Sequence, residues 1–390
     1  MTHRDLRGKT AIVGVGHFGL GQAPGYTDME LLVRAAHRAV QDAGLTMRDI
    51  DGIATSSTAA SMWVMSAIET LGLRPTYIDG TCLGGSSFMS YILAAAHALE
   101  SGQCNAVLVC YGSAQRTAAV GRAAVTEARK SLDPQPYEAP YHPLSPLSSY
   151  ALAARRHMHQ YGTTREQLAE VAVAARLWAQ RNPEAQERAP LSIDDVLGAR
   201  PVSDPLTVRD CCLVTDGAGA FVMVRADRAR DLPNRPVHVL GSASAVWNRQ
   251  ISCMEDLTVT AARESGQRAF EMAGCTPADI DVVGLYDAFT INTILFLEDL
   301  GFCAKGEGGR FVGGGGIAPG GRLPVNTNGG GLSCVHPGMY GVFLVIEAVR
   351  QLRGQAGDRQ VAGARLALAH GNGGTLSSQS TVILGTAETV

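Results

Sequence analysis

The chain lacks several features that would each mark a class of protein. No apolar run approaches the roughly 20 residues needed to span a bilayer. The opening MTHRDLRGK leads directly into TAIVGVG, with no charged leader, long apolar segment and cleavage site. The closing ILGTAETV carries no sorting or lipidation pattern. A cytoplasmic protein is the expectation. Charge is scarce and nearly balanced, at 18% of residues and a net −3. Such a balance points to neither a nucleic acid nor a membrane surface as partner, although a local basic patch can still receive phosphates. Cysteine is sparse: nine residues, spread out, with no CxxC pair. That argues against a zinc knuckle or a thioredoxin-like motif, and the odd number against a fully paired disulfide framework. Most of these thiols read as small buried hydrophobes in a reducing compartment.

What is present is a long alternation of apolar strands and amphipathic helices, within 390 residues that are 46% hydrophobic. That length accommodates two domains, each with its own core. The alternation predicts an α/β architecture. The chain also resembles itself. Thr10–Gly16 reads as a strand ending in glycine, followed by a helix over about Met29 to Asp42 and the phrase AGLTMRDIDGIATSS. Val237–Gly241, a helix over about Val259 to Met272, and AGCTPADIDVVGLYD repeat it. Ala43-Gly44 corresponds to Ala273-Gly274, and Asp49-Ile50-Asp51 to Asp279-Ile280-Asp281. Two similar layered halves are therefore expected, over residues 1–235 and 236–390, with sheets covered on both faces. An insertion at about 112–206 interrupts the first half and contains the proline-rich DPQPYEAPYHPLSPLSS. It reads as a lid, a specificity element or an oligomer surface.

Cys82, in IDGTCLGGSSF, lies between an apolar strand and an apolar helix. Unpaired N–H groups and the positive end of that helix favour a thiolate, and flanking glycines let amides approach a carbonyl. A buried structural cysteine is the commoner fate of such a residue. His336, in NTNGGGLSCVHPGMYG, is a candidate base for Cys82, with Cys334 a rival two residues away. His370, in LALAHGNGGT, and the neighbouring Asn372 sit where a strand meets a glycine cluster. Tyr286 could donate to an enolate oxygen. Asp287 either orients a histidine or caps the next helix. His157 and His159, two apart on a helix, do not face each other, so no metal site is expected there.

These residues resemble the thiolase superfamily over nearly the whole chain. Its nucleophile motif matches Cys82-Leu83-Gly84-Gly85, and its Asn…Gly-Gly…His-Pro motif matches Asn326, Gly329, Gly330, His336 and Pro337. The phrase from Asp210 to Ala220 is similar to that of sterol-carrier thiolases. The resemblance implies a duplicated five-layer αβαβα thiolase fold with an insertion on the first half. It implies coenzyme A as co-substrate, with Gly85, Asn326, Gly330, Asn372 and Gly373 contributing to its binding, and catalysis by Cys82, His336, His370, Tyr286 and Asp287. In two places the chain departs from the family: Tyr286-Asp287-Ala288-Phe289 replaces Asn-Glu-Ala-Phe, and His370 stands where a second catalytic cysteine is usual. These departures resemble a subgroup that works with a small zinc-containing OB-fold partner, the chain itself holding no metal. A homodimer is also implied.

The implied chemistry is thiolysis or its reverse. His336 deprotonates Cys82, the thiolate attacks a 3-oxoacyl-CoA, and free coenzyme A removes the acyl group; the acyl group is aromatic or branched in some relatives. The rivals are an acyltransferase using a phenolic or malonyl-derived acceptor, a retro-aldol lyase needing no acyl-enzyme, and a non-catalytic scaffold subunit. Retention of Cys82 with His336 weighs against the retro-aldol branch at this stage.

Overall fold

Helix α1 (Asp28–Asp42) starts where the sequence signals a start. The Glu30 backbone N–H donates to Thr27 Oγ1 at 3.2 Å, and the Glu30 carboxylate accepts from the Thr27 N–H at 2.8 Å. Each partner satisfies an amide that the first turn leaves open. Its apolar stripe, Leu31, Leu32, Ala35, Ala36, Ala39 and Val40, is buried. Full burial of Leu31 or Leu32 contributes roughly 2 kcal/mol each. The structure is a computed structural model and describes residues 6–58, 60–118 and 137–390.

The strands are β1 (Thr10–Gly21), β2 (Gly52–Ala54), β3 (Tyr77–Asp79), β4 (Ala106–Ser113), β5 (Pro201–Ser203), β6 (Leu206–Thr207), β7 (Asp216–Arg225), β8 (Val237–Val246), β9 (Val282–Leu285), β10 (Leu366–Gly373) and β11 (Ser378–Gly385). The remaining helices are α2 (Trp63–Leu71), α3 (Ser87–Glu100), α4 (Leu147–Tyr161), α5 (Arg165–Gln180), α6 (Ile193–Leu197), α7 (Ala226–Ala229), α8 (Ala262–Ala273), α9 (Thr290–Asp299), α10 (Gly308–Val312) and α11 (Gly341–Arg353). The main sheet runs β3-β2-β4-β7-β1-β8-β11-β10-β9. It is two sheets meeting at β1 and β8, which pair only through Ala11 with His238 and Ile12 with Val237. Helix α1 covers the outer face of the first sheet and α8 that of the second. Helices α3 and α11 lie between the sheets and touch strands of both. This is the layered α/β architecture expected from the sequence.

The repeat is visible at the level of atoms. A Cβ on Gly14 would sit 2.1 Å from the Ala39 carbonyl oxygen, and one on Gly241 2.1 Å from that of Ala269. Glycine at each place lets strand and helix touch backbone to backbone. Asp51 accepts from the N–H groups of Asn105 and Ala106 at the head of β4. Asp281 accepts from those of Arg365 and Leu366 at the head of β10. Strand pairing repeats too: β2 is parallel to β4 and β3, and β9 is parallel to β10 and makes a parallel bridge from Val283 to Val325.

Within the described part of the 112–206 insertion, α4 and α5 pack over the second half. Helix α5 lies against the 330–334 turn, α9 and α10. Helix α4 is tied down at two places seven residues apart, which is one face of a helix. Tyr150 meets Asn372 of β10, and His157 meets Glu298 of α9. Residues 119–136, which include the start of the proline-rich stretch, lie outside the described residues.

Candidate active site

Cys82 follows the edge strand β3 and precedes a short 3-10 turn, Gly84–Ser86, that runs into α3. It is exposed, and its Sγ lies 4.0 Å from the Ser57 carbonyl oxygen. The loop around it is pinned. The Thr81 N–H donates to Asp79 Oδ1 at 2.9 Å, the Leu83 N–H to Ser87 Oγ at 2.8 Å, and the Tyr91 hydroxyl to the Thr81 carbonyl at 2.7 Å. Gly84 has φ +70°, and a Cβ there would lie 3.0 Å from Gly373 Cα and from Gly374 N. A Cβ on Gly85 would lie 2.1 Å from the Tyr286 ring. The loop is thus pressed directly onto two segments of the second half, the 373–374 turn and the end of β9.

His336 follows the helical turn Gly330–Cys334. Its backbone is held by Thr215: the His336 N–H donates to Thr215 Oγ1 at 3.0 Å, and the Thr215 N–H to the His336 carbonyl at 3.3 Å. The ring stands edge-on to Tyr286 at 5.5 Å and stacks on Tyr340 at 6.1 Å between centroids. Its Nε2 is buried and has no hydrogen-bond partner among the described residues. Burial pushes the imidazole pKa down to about 4, so the ring is neutral at pH 7. A neutral, unpaired ring nitrogen in an apolar wall is able to take or share a proton.

Two tyrosines, one from each half, grip the segment after His336. The Tyr111 hydroxyl donates to the Pro337 carbonyl at 2.5 Å and accepts from the Met339 N–H at 3.3 Å. The Tyr286 hydroxyl donates to the Gly338 carbonyl and accepts from the Tyr340 N–H, both at 3.2 Å. Tyr286 therefore stands at the site, but its hydroxyl is spent on backbone rather than free for an enolate. Asp287 is fully buried and accepts from the Gly331 N–H at 2.7 Å and the Leu332 N–H at 3.3 Å. It caps the 330–334 turn, not the next helix, and makes no hydrogen bond to His336 among those present. Burial raises its carboxyl pKa to about 7, against the pull of those two amides. Gly330, at φ +65°, leaves it room: a Cβ there would meet Asp287 Oδ2 at 2.0 Å.

The other expected residues do not converge on Cys82. His370 is wholly buried and points to the face of β10 opposite Gly371 and Gly373, against the Phe296 ring at 4.6 Å. Its Nδ1 is 2.9 Å from Thr381 Oγ1 and its Nε2 2.9 Å from Gln379 Oε1. Strand alternation thus turns His370, expected to stand in for a second cysteine, to the face away from Gly371 and Gly373. Asn372 shares that face, donates its Nδ2 to the Tyr150 hydroxyl and accepts at Oδ1 from Gln379 Nε2. Asn326, at φ +53°, accepts from the Leu285 N–H at 2.7 Å and so braces β9. Neither amide is free for coenzyme A. Gly85 and Gly373 do line the Cys82 loop. Cys334 is buried with its thiol pKa pushed up by burial, which makes it inert as a rival. Tyr340, Tyr111 and Thr215 shape the site without having been singled out by sequence. Only Tyr340 carried a signal, standing four residues after His336 in HPGMYG. Among the described residues no group of three or more His, Cys, Asp or Glu is placed to hold a metal. No helix among them is long and apolar enough to cross a membrane.

Residues 243–386 match the family described as thiolase C-terminal domain-like. The chain is 36% identical over 377 residues to the acetyl-CoA acetyltransferase of Methanothermobacter thermautotrophicus, covering 94% of this chain and 96% of that one. It is 34% identical over 361 residues to the steroid side-chain-cleaving aldolase of Thermomonospora curvata, covering 90% and 91%. Among solved structures it matches an Ltp2-ChsH2(DUF35) aldolase with TM-score 0.88 and 31% identity, covering 98% of each chain.

Proposed function

From the premise that this chain belongs to the thiolase superfamily and is an enzyme of that family's acyl-CoA chemistry, we propose that it is a retro-aldol lyase of 3-hydroxyacyl-CoA thioesters. The observation that carries this reading is the pairing of one free base with no second acid. His336 Nε2 is buried, neutral and unpartnered, while the strand that would carry a thiolase's second cysteine turns Gly371 and Gly373 toward the Cys82 loop and His370 away from it. Claisen chemistry needs a group that exchanges a proton with the α-carbon of the acyl acceptor as well as a base for the thiol. Retro-aldol cleavage needs one base. His336 takes the proton of the substrate's 3-hydroxyl, the O–H electrons form a carbonyl, and the bond between C2 and C3 breaks. Its electron pair passes to the thioester as an enolate, which the proton then quenches. One 3-hydroxyacyl-CoA gives one aldehyde or ketone and one shorter acyl-CoA, with no co-reactant. Backbone N–H groups of the 373–374 turn and the Cys82 loop are suited to hold the enolate oxygen.

A second reading is favoured by Cys82 itself, an exposed thiol at the approach to α3. It is the thiolase reaction, with an acyl-Cys82 intermediate released by free coenzyme A. The two separate cleanly in one experiment. Wild type and Cys82→Ala are given 3-hydroxyacyl-CoA alone, or 3-oxoacyl-CoA with coenzyme A, and products and intact protein mass are followed. The lyase reading expects a carbonyl product from the hydroxy substrate without free coenzyme A, surviving in Cys82→Ala. A mass increase on Cys82, removed by coenzyme A and lost in Cys82→Ala, overturns it in favour of thiolysis. The relative of TM-score 0.88 is a two-component aldolase. That likeness supports the reading that this chain works with a small zinc-containing OB-fold subunit, which co-purification from its source tests.

A further inference from the structure

His370 is a buried titratable side chain that the proposed reaction does not use. It begins a continuous line of side-chain hydrogen bonds. Its Nε2 lies 2.9 Å from Gln379 Oε1, Gln379 Nε2 donates to Asn372 Oδ1 at 2.8 Å, and Asn372 Nδ2 donates to the Tyr150 hydroxyl at 3.0 Å. The Tyr150 hydroxyl in turn points at the Gly374 carbonyl, 3.4 Å away. Each side chain in the line is at most 2% exposed. The polarity is set by the amides. Gln379 spends its nitrogen on Asn372, so its oxygen faces His370, which carries its proton on Nε2 and accepts from Thr381 at Nδ1. Because Tyr150 accepts from Asn372, its own proton is left for Gly374. Tyr150 belongs to the insertion helix α4 and is further fixed by stacking on Phe289 at 4.3 Å.

The far end of this line meets the nucleophile loop without any flexible side chain between them. A Cβ on Gly373 would lie 1.6 Å from the Leu83 carbonyl oxygen, and one on Gly84 would lie 3.0 Å from Gly373 Cα and Gly374 N. Movement of the turn is therefore transmitted to Leu83 and to Cys82 beside it, because close-packed backbone has no slack to absorb it. We propose that Tyr150 and His370 are positioning residues, the two ends of a relay that fixes the 371–374 turn against the Cys82 loop and makes the site's geometry depend on the insertion. The proposal rests on the reading of the Cys82 loop as the place of reaction.

The test uses Tyr150→Phe, His370→Leu, His370→Gln and the double variant Tyr150→Phe/His370→Leu in the full chain. Two readouts are taken: the rate of Cys82 alkylation by iodoacetamide, resolved by peptide mass from that of the exposed Cys253, and kcat and KM on a 3-hydroxyacyl-CoA. Tyr150→Phe and His370→Leu should each change Cys82 alkylation severalfold, leave Cys253 unchanged, and lower kcat on the order of tenfold with little change in KM, as misplacement of reacting groups does. The double variant should be no worse than the worse single, since both break one line. His370→Gln keeps a donor for Gln379 and should restore both readouts. Unchanged Cys82 alkylation in folded variants, or single effects that multiply in the double, overturns the relay. If His370→Leu fails to fold, Tyr150→Phe and His370→Gln still decide. If the wild type turns over no 3-hydroxyacyl-CoA, the lyase reading falls, while the alkylation rates still judge the relay.

Discussion

Asp287→Asn tests the carboxylate that holds the turn beneath His336. In the unfolded chain this carboxyl titrates at its ordinary value of 3.8, and in the folded protein burial raises it to about 7. Between those values the folded protein keeps a proton that the unfolded chain has released. Stability from this group is therefore fully present below the unfolded pKa and is lost as pH rises toward the folded one, by about 1.4 kcal/mol for each pH step. From pH 5 to pH 8 the loss is between about 2 and 3 kcal/mol, because little more is lost above pH 7. A chain of this length has an unfolding entropy of about 0.8 kcal/mol/K near its midpoint, so that loss corresponds to about 3 °C. Asparagine has no such titration. Melting midpoints of wild type and Asp287→Asn, followed by calorimetry at pH 5 and pH 8, should thus diverge: the variant gains about 3 °C on the wild type between the two pH values. A gap between the two proteins that stays the same at both pH values would refute the reasoning and mean that Asp287 is ionised in the fold throughout.

Three further outcomes are expected. His336→Ala removes the unpaired imidazole of the site and should lower kcat by about 10²–10⁴-fold with the melting midpoint preserved, a loss below tenfold arguing for another base. Tyr111→Phe leaves the Pro337 carbonyl and the Met339 N–H without their partner. It should cost about 1–3 kcal/mol of stability and lower kcat, and a variant with wild-type kinetics would show that Tyr286 alone fixes the segment. His157→Leu takes one partner from Glu298, which keeps Lys305 Nζ at 3.2 Å and the Gly308 N–H at 2.8 Å. It should cost about 1–3 kcal/mol, the range for a lost buried hydrogen bond, and make α4 the first site of limited proteolysis, and cleavage elsewhere would remove His157 as the anchor of the insertion.

Much of the fold was legible because the duplication leaves a phrase, not just a periodicity. The AG and DID pairs mark a helix end and a strand start, and in the structure Asp51 and Asp281 do the same work on β4 and β10. Cys82 and His336 were legible because glycines crowd both, and glycines are where backbones approach closely. Position on a strand was the neglected signal for His370. Asp51 and Asp281 put Ala106 in register with Leu366, hence Cys110 with His370. Cys110 faces α1, in the outer layer, where burial pushes its thiol pKa up to about 12. His370, its equivalent, faces outward for the same reason. The path of the insertion was not legible. It branches from the first half and packs on the second, a choice made by Tyr150 and His157 meeting partners more than a hundred residues away.

The same register explains how a duplicated scaffold yields a single site. Tyr111 of the first half corresponds to Gly371 of the second, and Ser56 to Tyr286. Were the halves alike, each central helix would be preceded by an equivalent loop held by an equivalent group. Instead the large side chains are divided between two non-equivalent positions, and both reach one loop, the segment after His336. The vacated position is closed by approach: a Cβ on Gly371 would lie 2.8 Å from Met89 Sδ and 2.9 Å from Ser86 Cα. That closeness draws the first turn of α3 onto β10, as Gly341, whose Cβ would meet the Gly85 carbonyl at 2.0 Å, draws it onto α11. One half thus contributes the exposed Cys82 loop and the other a rigidly held imidazole. The asymmetry is a redistribution of two tyrosines over positions whose counterparts in the other half are a glycine and a serine.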